Sequence, residues 1–469
     1  MNLLRAEWTK LRSVNRWMLT LLAAGVLTVG FGLVAASGGG TEINQHPNFI
    51  VGPKGQPVLD DFMFVHRPLS GDGTIAVRVV DQADSHEWAG AGVIVKQSLT
   101  SGSRYALVMT TPRHGVRFRS DFDTDIPATA GLSSRWLKLS RSGGTVTGFE
   151  SADGASWREL GRVAFTEGTV EIGLFVSSPP HRVVERRPGG ATTTDNPTVG
   201  TAVFDNVTTS APGRWSGSDV RGPGGYEGAP TTPGTLEERD DVLTVHGSGG
   251  IGPNPPDDDP VSAGLYGVLM GLMAIIAVSV LFVTSEYKRG MILTTLAAHP
   301  GRVRMLAAKA AVAGTAAFVV ALAGSAIAFL VTQPLLRDNG FRPPAYQSLS
   351  ITDPSVLRAL GGTAVFVACV AVFALAVGVI MRHSAAAITT TVALVILPTI
   401  LSIALPPAVS KWILQLTLTA GFALQRAKPP TNTVEPWANL EPWSALTVCV
   451  AYAATGFTIA AVLLRRRDA

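Results

Sequence analysis

The sequence predicts an α-helical membrane protein of about six transmembrane helices, with an all-β domain inserted after the first. Three observations predict this. Apolar runs recur near residues 17–36, 262–284, 310–332, 359–380, 385–405 and 444–464. Each is close to the about 20 residues a helix needs to cross about 30 Å of hydrocarbon. Residues 58–209 instead alternate apolar and polar side chains in short runs broken by Gly, Asp, Ser and Pro, the pattern of strands and turns. Charge divides the chain at the same places: residues 38–260 carry 19 Lys and Arg against 27 Asp and Glu, and the remainder carries 19 against 7.

The short basic segments fix the orientation of the spans. Arg5, Lys10, Arg12 and Arg16 precede the first run; Lys288, Arg289, Arg302, Arg304 and Lys309 lie between the second and third. Arg382 separates the fourth from the fifth, and Arg465, Arg466 and Arg467 follow the sixth. All fall on one side, which the positive-inside rule makes the cytoplasm. Both termini are then cytoplasmic, and residues 38–260 lie outside a bacterial plasma membrane. Residues 412–424 are apolar but too short to span, so they read as an interfacial or re-entrant helix. The first run exceeds the 7–15 residues of a signal-peptide core and reads as a retained anchor. Before it, Leu4, Trp8 and Leu11 recur at helical spacing and suit a helix lying on membrane lipid.

The domain division follows: 1–36 for the amphipathic start and first helix, 37–210 for the β-sandwich with its core at 58–209, 211–260 for a Gly/Pro/Asp-rich linker, and 261–469 for five helices. Within the linker, residues 241–245 alternate well enough to form one extra strand. The basic residues flank apolar spans rather than forming a patch interleaved with aromatics, which excludes nucleic acid as a partner. Cys369 and Cys449 both lie in apolar runs, so the β-domain has no disulfide, and a domain of its size folds without one.

Trp88–Val93, Ser103–Ala106, Gly115–Phe118, Arg135–Leu139, Ser151–Trp157, Val170–Val176 and Phe204–Val207 follow one another in an order that resembles concanavalin A-like jelly-roll domains. That resemblance implies a lectin or glucanase type of sandwich, a fold that hosts binders, enzymes and spacers alike. Trp88, Tyr105, Trp136 and Trp157 offer faces for a glycan ligand, though aromatic residues in a sandwich serve equally as packing. Asp121, Asp123 and Asp125 start a calcium-loop pattern, but Ile126 and Leu132 stand where its turn glycine and last carboxylate belong. His86-Glu87 lacks a second histidine at the zinc-protease spacing, and no G-x-S-x-G elbow is present.

No span carries an ionisable residue in its central stretch, which argues against ion-coupled transport. There is no P-loop, so the chain itself needs no cofactor, and ATP and magnesium belong to a separate subunit. The segment Met1–Arg12 and the segment from Ser285-Glu286-Tyr287-Lys288-Arg289-Gly290 to Lys309 are similar to those of bacterial ABC transporter permeases of the type-2 exporter family. The resemblance implies an ABC ATPase partner, a second permease copy, and a cytoplasmic coupling loop, 285–309. Within it, Glu286, Tyr287, Lys288, Arg289 and Gly290 would dock on the ATPase. The rival readings are a membrane-anchored carbohydrate-binding or sensing protein and an anchored glycoside hydrolase; six spans exceed what anchoring requires.

Overall fold

The computed structural model describes residues 2–38, 50–83, 85–128, 136–165, 167–187, 190–221, 232–254, 259–288, 301–341, 343, 346–428 and 440–466. The chain forms two compact units. One comprises residues 1–45, 186–192 and 256–469, and the other residues 46–185 and 193–255.

The first unit is helical. Its elements are α1 (Asn2–Ser13), α2 (Asn15–Gly38), α3 (Pro260–Gly264), α4 (Val268–Lys288), α5 (Arg302–Asp338), α6 (Pro354–Met381), α7 (Ser384–Ala404), α8 (Pro407–Leu416) and α9 (Pro442–Arg466), with a 3₁₀ helix at Leu418–Gln425. Six of them, α2, α4, α5, α6, α7 and α9, are long and apolar enough to cross a membrane. They lie at the six sites the hydropathy predicts. Helix α5 runs on for 37 residues, about 55 Å at the usual rise, so it extends well beyond the apolar run that announces it. The second span is divided instead: α3 stops at Gly264, and α4 starts at Val268.

Close packing explains both the division and the glycine pair in this span. A Cβ on Gly267 would lie 2.0 Å from the Thr28 carbonyl oxygen, and one on Gly271 would lie 2.2 Å from Thr28 Oγ1. These glycines therefore seat α4 against α2 of the same chain. Asp259 locks the entry to this span. One carboxylate oxygen caps α3 by accepting from Val261 N at 2.8 Å and Ser262 N at 3.4 Å. The other accepts from Ala427 N at 2.6 Å and Lys428 N at 2.9 Å. Residues 412–424 do not form another long helix. They cover the end of α8 and most of the 3₁₀ turn, whose Leu418, Thr419, Ala420, Gly421, Ala423 and Leu424 are buried, with Thr419 donating to the Val395 carbonyl.

The second unit is a two-layer sandwich. One seven-stranded sheet runs β16 (Ser216–Val220), β3 (Phe62–Ser70), β12 (Thr169–Ser177), β5 (Gly90–Lys96), β6 (Tyr105–Thr111), β7 (Gly115–Ser120), β8 (Thr124–Pro127). The other runs β11 (Arg158–Ala164), β10 (Thr145–Ser151), β9 (Trp136–Ser142), β4 (Gly73–Gln82), β15 (Gly200–Thr209), β18 (Val242–Gly247), β17 (Thr235–Arg239). Alternation puts Val77, Val93, Val108, Phe118, Leu137, Leu174 and Phe204 into the core between them. A small sheet of β1 (Ile50–Val51), β2 (Pro57–Asp60) and β19 (Ile251–Pro253) accompanies a second apolar cluster on the outer side of the first layer. Strands β13 (His181–Arg187) and β14 (Gly190–Asn196) form a hairpin.

The segment expected as a linker therefore belongs largely to the sandwich. Strands β16, β17, β18 and β19 all fall within 211–260, and the extra strand expected at 241–245 is β18, paired on both sides. Strand β17 pairs with the adjacent β18, whereas β16, β18 and β19 also find partners farther away in sequence, in β3, β15 and β2. The acidic trio is also committed: Asp121 pairs with Arg104, Asp123 with Lys54, and Asp125 with Arg117 and Arg119. Burial opposes ionisation of Asp125, but the hydrogen bonds and charges of the two arginines outweigh it and hold the carboxyl below its ordinary range.

The glycine packing gives a paired prediction. Gly267→Ala should lower the melting temperature of the detergent-solubilised protein by at least several degrees, because the new methyl meets backbone. Gly361→Ala, with nothing within 4 Å of its added Cβ, should leave it unchanged or raise it, since alanine gains about 1 kcal/mol over glycine in a helix. Equal melting of the two variants would contradict the packing account.

Candidate functional site

Four charged side chains meet where α1, α4 and α5 converge. Lys309, in the second turn of α5, is fully buried (0 % exposed) and donates to Glu7 Oε2 and to Glu286 Oε1, both at 2.7 Å. Lys10, one turn after Glu7 on α1, donates to Glu7 Oε1 and Glu286 Oε1, both at 3.1 Å. The Lys309 ammonium also lies 4.7 Å from the ring centroid of Phe282, and Trp17 meets that ring edge-on at 5.4 Å. Leu11, one turn beyond Glu7, is buried in the same helical core.

The arrangement follows from electrostatics. Glu286 sits in the last turn of α4, where the helix dipole disfavours a negative charge, and it faces a second carboxylate. Two ammonium groups between the carboxylates make the cluster neutral, as a low-dielectric site requires. Burial lowers the pKa of Lys10, but Glu286 and Glu7 overcome it and raise it above the ordinary 10.5. A raised lysine pKa stabilises the fold below the unfolded value and loses that contribution only as pH climbs through the folded one. Lys10 thus holds the cluster fully at neutral pH.

This clasp ties the N-terminal helix to both helices that border residues 289–300. Two further contacts anchor the same borders. The Arg382 guanidinium, just past the end of α6, lies 5.2 Å from the Tyr287 ring. Arg302, at the start of α5, donates to the Leu464 carbonyl near the end of α9 at 3.0 Å.

The residues expected to dock on a partner separate accordingly. Glu286 does not face outward: it is buried and shared between Lys309 and Lys10. Tyr287 is half-buried. Arg289, Gly290 and the side chain of Lys288 lie outside the described residues. Lys309 and Lys10, read from sequence as topology charges, and Glu7, part of a basic start, are the missed members. The available signal was the scarcity of acids in the membrane part, where each carboxylate is costly enough to demand a partner. On α1, Leu4 and Trp8 are 48 % and 45 % exposed whereas Leu11 is 1 % exposed, so the three do not form a single outward stripe.

The four aromatic residues proposed for sugar contact do not converge. Tyr105 is buried under the small sheet at 1 % exposure, so it cannot touch a glycan. Trp88 stacks on His114 at 3.7 Å, with the Arg117 and Arg119 guanidiniums 5.4 and 5.2 Å from its ring centroid. Trp136 lies on β9 of the other sheet, on its outer side, and Trp157 immediately precedes β11 of the same sheet. There Lys138 lies 5.0 Å from the Trp157 ring, and the turn glycine Gly154, at φ +77°, packs against Trp136. Trp88 and the Trp136–Trp157 pair thus occupy opposite faces of the sandwich.

Removing one member of the clasp tests its energetics. Lys309→Met leaves two buried carboxylates with Lys10 alone and should cost about 3–5 kcal/mol, read as a sharply lower melting temperature in detergent. Arg304→Met, at an exposed position between one and two turns earlier on the same helix, should stay within about 0.5 kcal/mol of the parent. Similar melting of both variants would contradict the clasp.

No family model matches the chain, and no curated protein matches it. Among solved structures, it is similar to a functionally unknown protein from Saccharomyces cerevisiae at 16% identity and a TM-score of 0.23, covering 31% of this chain and 73% of that one. It is also similar to SCP-B, a member of the eqolisin family of peptidases in complex with the tripeptide Ala-Ile-His, at 8% identity and a TM-score of 0.23, covering 40% of this chain and 98% of that one. Superposition scores of this size carry neither fold nor function to this chain.

Proposed function

We propose that the chain is the transmembrane permease subunit of an ATP-driven exporter, powered by a separate ATPase that docks on residues 289–300 and their borders. In this reading the helix ends bearing the clasp are cytoplasmic, and the sandwich is a concanavalin A-like module outside the membrane. The observation that carries the proposal is the clasp. A segment supplied with force from outside must pass it to the bundle through rigid borders. Here α4 and α5 leave and re-enter that segment fastened to each other and to α1 by buried ion pairs. The absence of a P-loop from the sequence puts nucleotide chemistry in the partner, and the resemblance of the Met1–Arg12 and Ser285–Lys309 segments to exporter permeases points the same way.

The test is purification of the tagged chain from its native membranes under mild detergent. A P-loop ATPase should copurify, and the complex should turn over ATP faster than the isolated ATPase. Gly290→Trp, which places a large ring in the proposed docking segment, should lose the ATPase while the chain still inserts and melts normally. Failure of any P-loop protein to copurify, or undiminished stimulation by Gly290→Trp, would overturn the proposal.

A further inference from the structure

On the outer side of the β16–β3–β12 sheet, three side chains from three strands form one hydrogen-bonded line. His66 Nδ1 lies 2.7 Å from Glu171 Oε2, and His66 Nε2 lies 3.1 Å from Ser218 Oγ. Register places them together: Ser216 faces His66 and Ser218 faces Phe64 on β3, while Glu171 faces Pro68 and Gly173 faces His66 on β12. His66 is buried, and the ring of Phe64 lies 4.9 Å from its imidazole. Ser218 and Glu171 are half-buried.

The chemistry of this order is directional. A carboxylate beside Nδ1 accepts a hydrogen bond from Nδ1–H and fixes the tautomer, which leaves the Nε2 lone pair to accept from the serine hydroxyl. Among the described residues β16 is the edge strand of its sheet. An edge strand leaves backbone N–H groups without a strand partner, and β16 is the strand that carries Ser218. The flanking Ser216, Gly217 and Asp219 are exposed, which opens the serine to substrates approaching along the edge.

We propose that Ser218, His66 and Glu171 form a catalytic triad for the hydrolysis of O-acyl esters. Ser218 Oγ bonds to the ester carbonyl carbon as His66 Nε2 takes its proton, and the negative charge moves to the carbonyl oxygen. Collapse of this intermediate breaks the carbon–oxygen bond to the leaving alcohol, which receives the proton from His66. Water then attacks the acyl-serine, giving its proton to His66, and the acid departs as the proton returns to Ser218. Glu171 is a positioning residue that orients the imidazole and balances its charge while it is protonated.

The experiment uses the full chain in detergent with p-nitrophenyl acetate and a fluorophosphonate probe. The parent protein should be phosphonylated at Ser218, identified by peptide mass, and should hydrolyse the ester. Ser218→Ala should melt normally, lose the label and lose at least about 10⁴-fold in kcat, the order seen when a triad member is removed. Glu171→Gln should lower kcat at least about 10-fold with KM unchanged, a split that a merely structural role would not produce. An unlabelled but folded parent, or label and turnover that persist in Ser218→Ala, would overturn the triad. Unchanged kcat in Glu171→Gln would remove the carboxylate from it.

Discussion

A lysine ammonium with no access to water must be neutralised where it stands, and in this protein that condition falls on Lys309. Its two carboxylates come from helices that sequence alone does not join: Glu7 precedes it by 302 residues and Glu286 by 23. Meeting the condition fixes the rotation of α1 about its axis, because Glu7 must turn inward. Leu11 then follows Glu7 into the core, and Leu4, Arg5, Trp8 and Arg12 remain on the exposed side. The same condition fixes the last turn of α4 against the second turn of α5. Small residues permit this closeness elsewhere in the helical unit, where Gly267 and Gly271 let α4 approach α2. Buried ion pairs contribute less net stability than their geometry suggests, since desolvation offsets most of the attraction. Their strength is specificity: a slip of any one helix strands a charge.

The β-unit obeys a different constraint. A sheet must bury one face and protect its edges. The two seven-stranded layers bury their inner faces against each other, and the outer side of the first carries its own apolar cluster, including Phe62, Phe64, Tyr105 and Phe175. The Lys96–Asp60 pair, 2.7 Å apart and buried, joins β5 to β2 within that region, with Gly102 N also donating to Asp60. Burial raises the pKa of Asp60 and lowers that of Lys96, while the attraction and hydrogen bond between the two oppose both shifts. Beyond this covered region the His66 line reaches the edge strand and solvent.

Hydropathy and length made all six long apolar helices legible, since crossing hydrocarbon leaves little freedom of composition. The two-residue period likewise announced strands such as β4, β9 and β12. Of the late strands, alternation at 241–245 announced β18, whereas β16, β17 and β19 were obscured because residues 211–260 have the local composition of a linker, and only pairing with β3, β18 and β2 holds them in the sheets. Glu286 was legible as important but not as buried. Its surroundings depend on Lys309 and on a helix at the other end of the chain, and periodicity within a window contains neither. The line through Ser218, His66 and Glu171 spans 152 residues between its serine and histidine. It carries no local motif, so only strand register brings it together. Tyr105 failed as a sugar contact for the same reason: strand alternation does not say which outer face a further layer will cover.

The central claim is that opposite charges at positions 286 and 309 hold the helix ends in place, and exchange of the two charges tests it most directly. Glu286→Lys brings three ammonium groups together, and Lys309→Glu brings three carboxylates together. Each single variant should therefore melt far below the parent in detergent, whereas Glu286→Lys with Lys309→Glu in one chain should recover most of the lost melting temperature. Single variants that melt like the parent, or a double variant no better than the worse single one, would contradict the account.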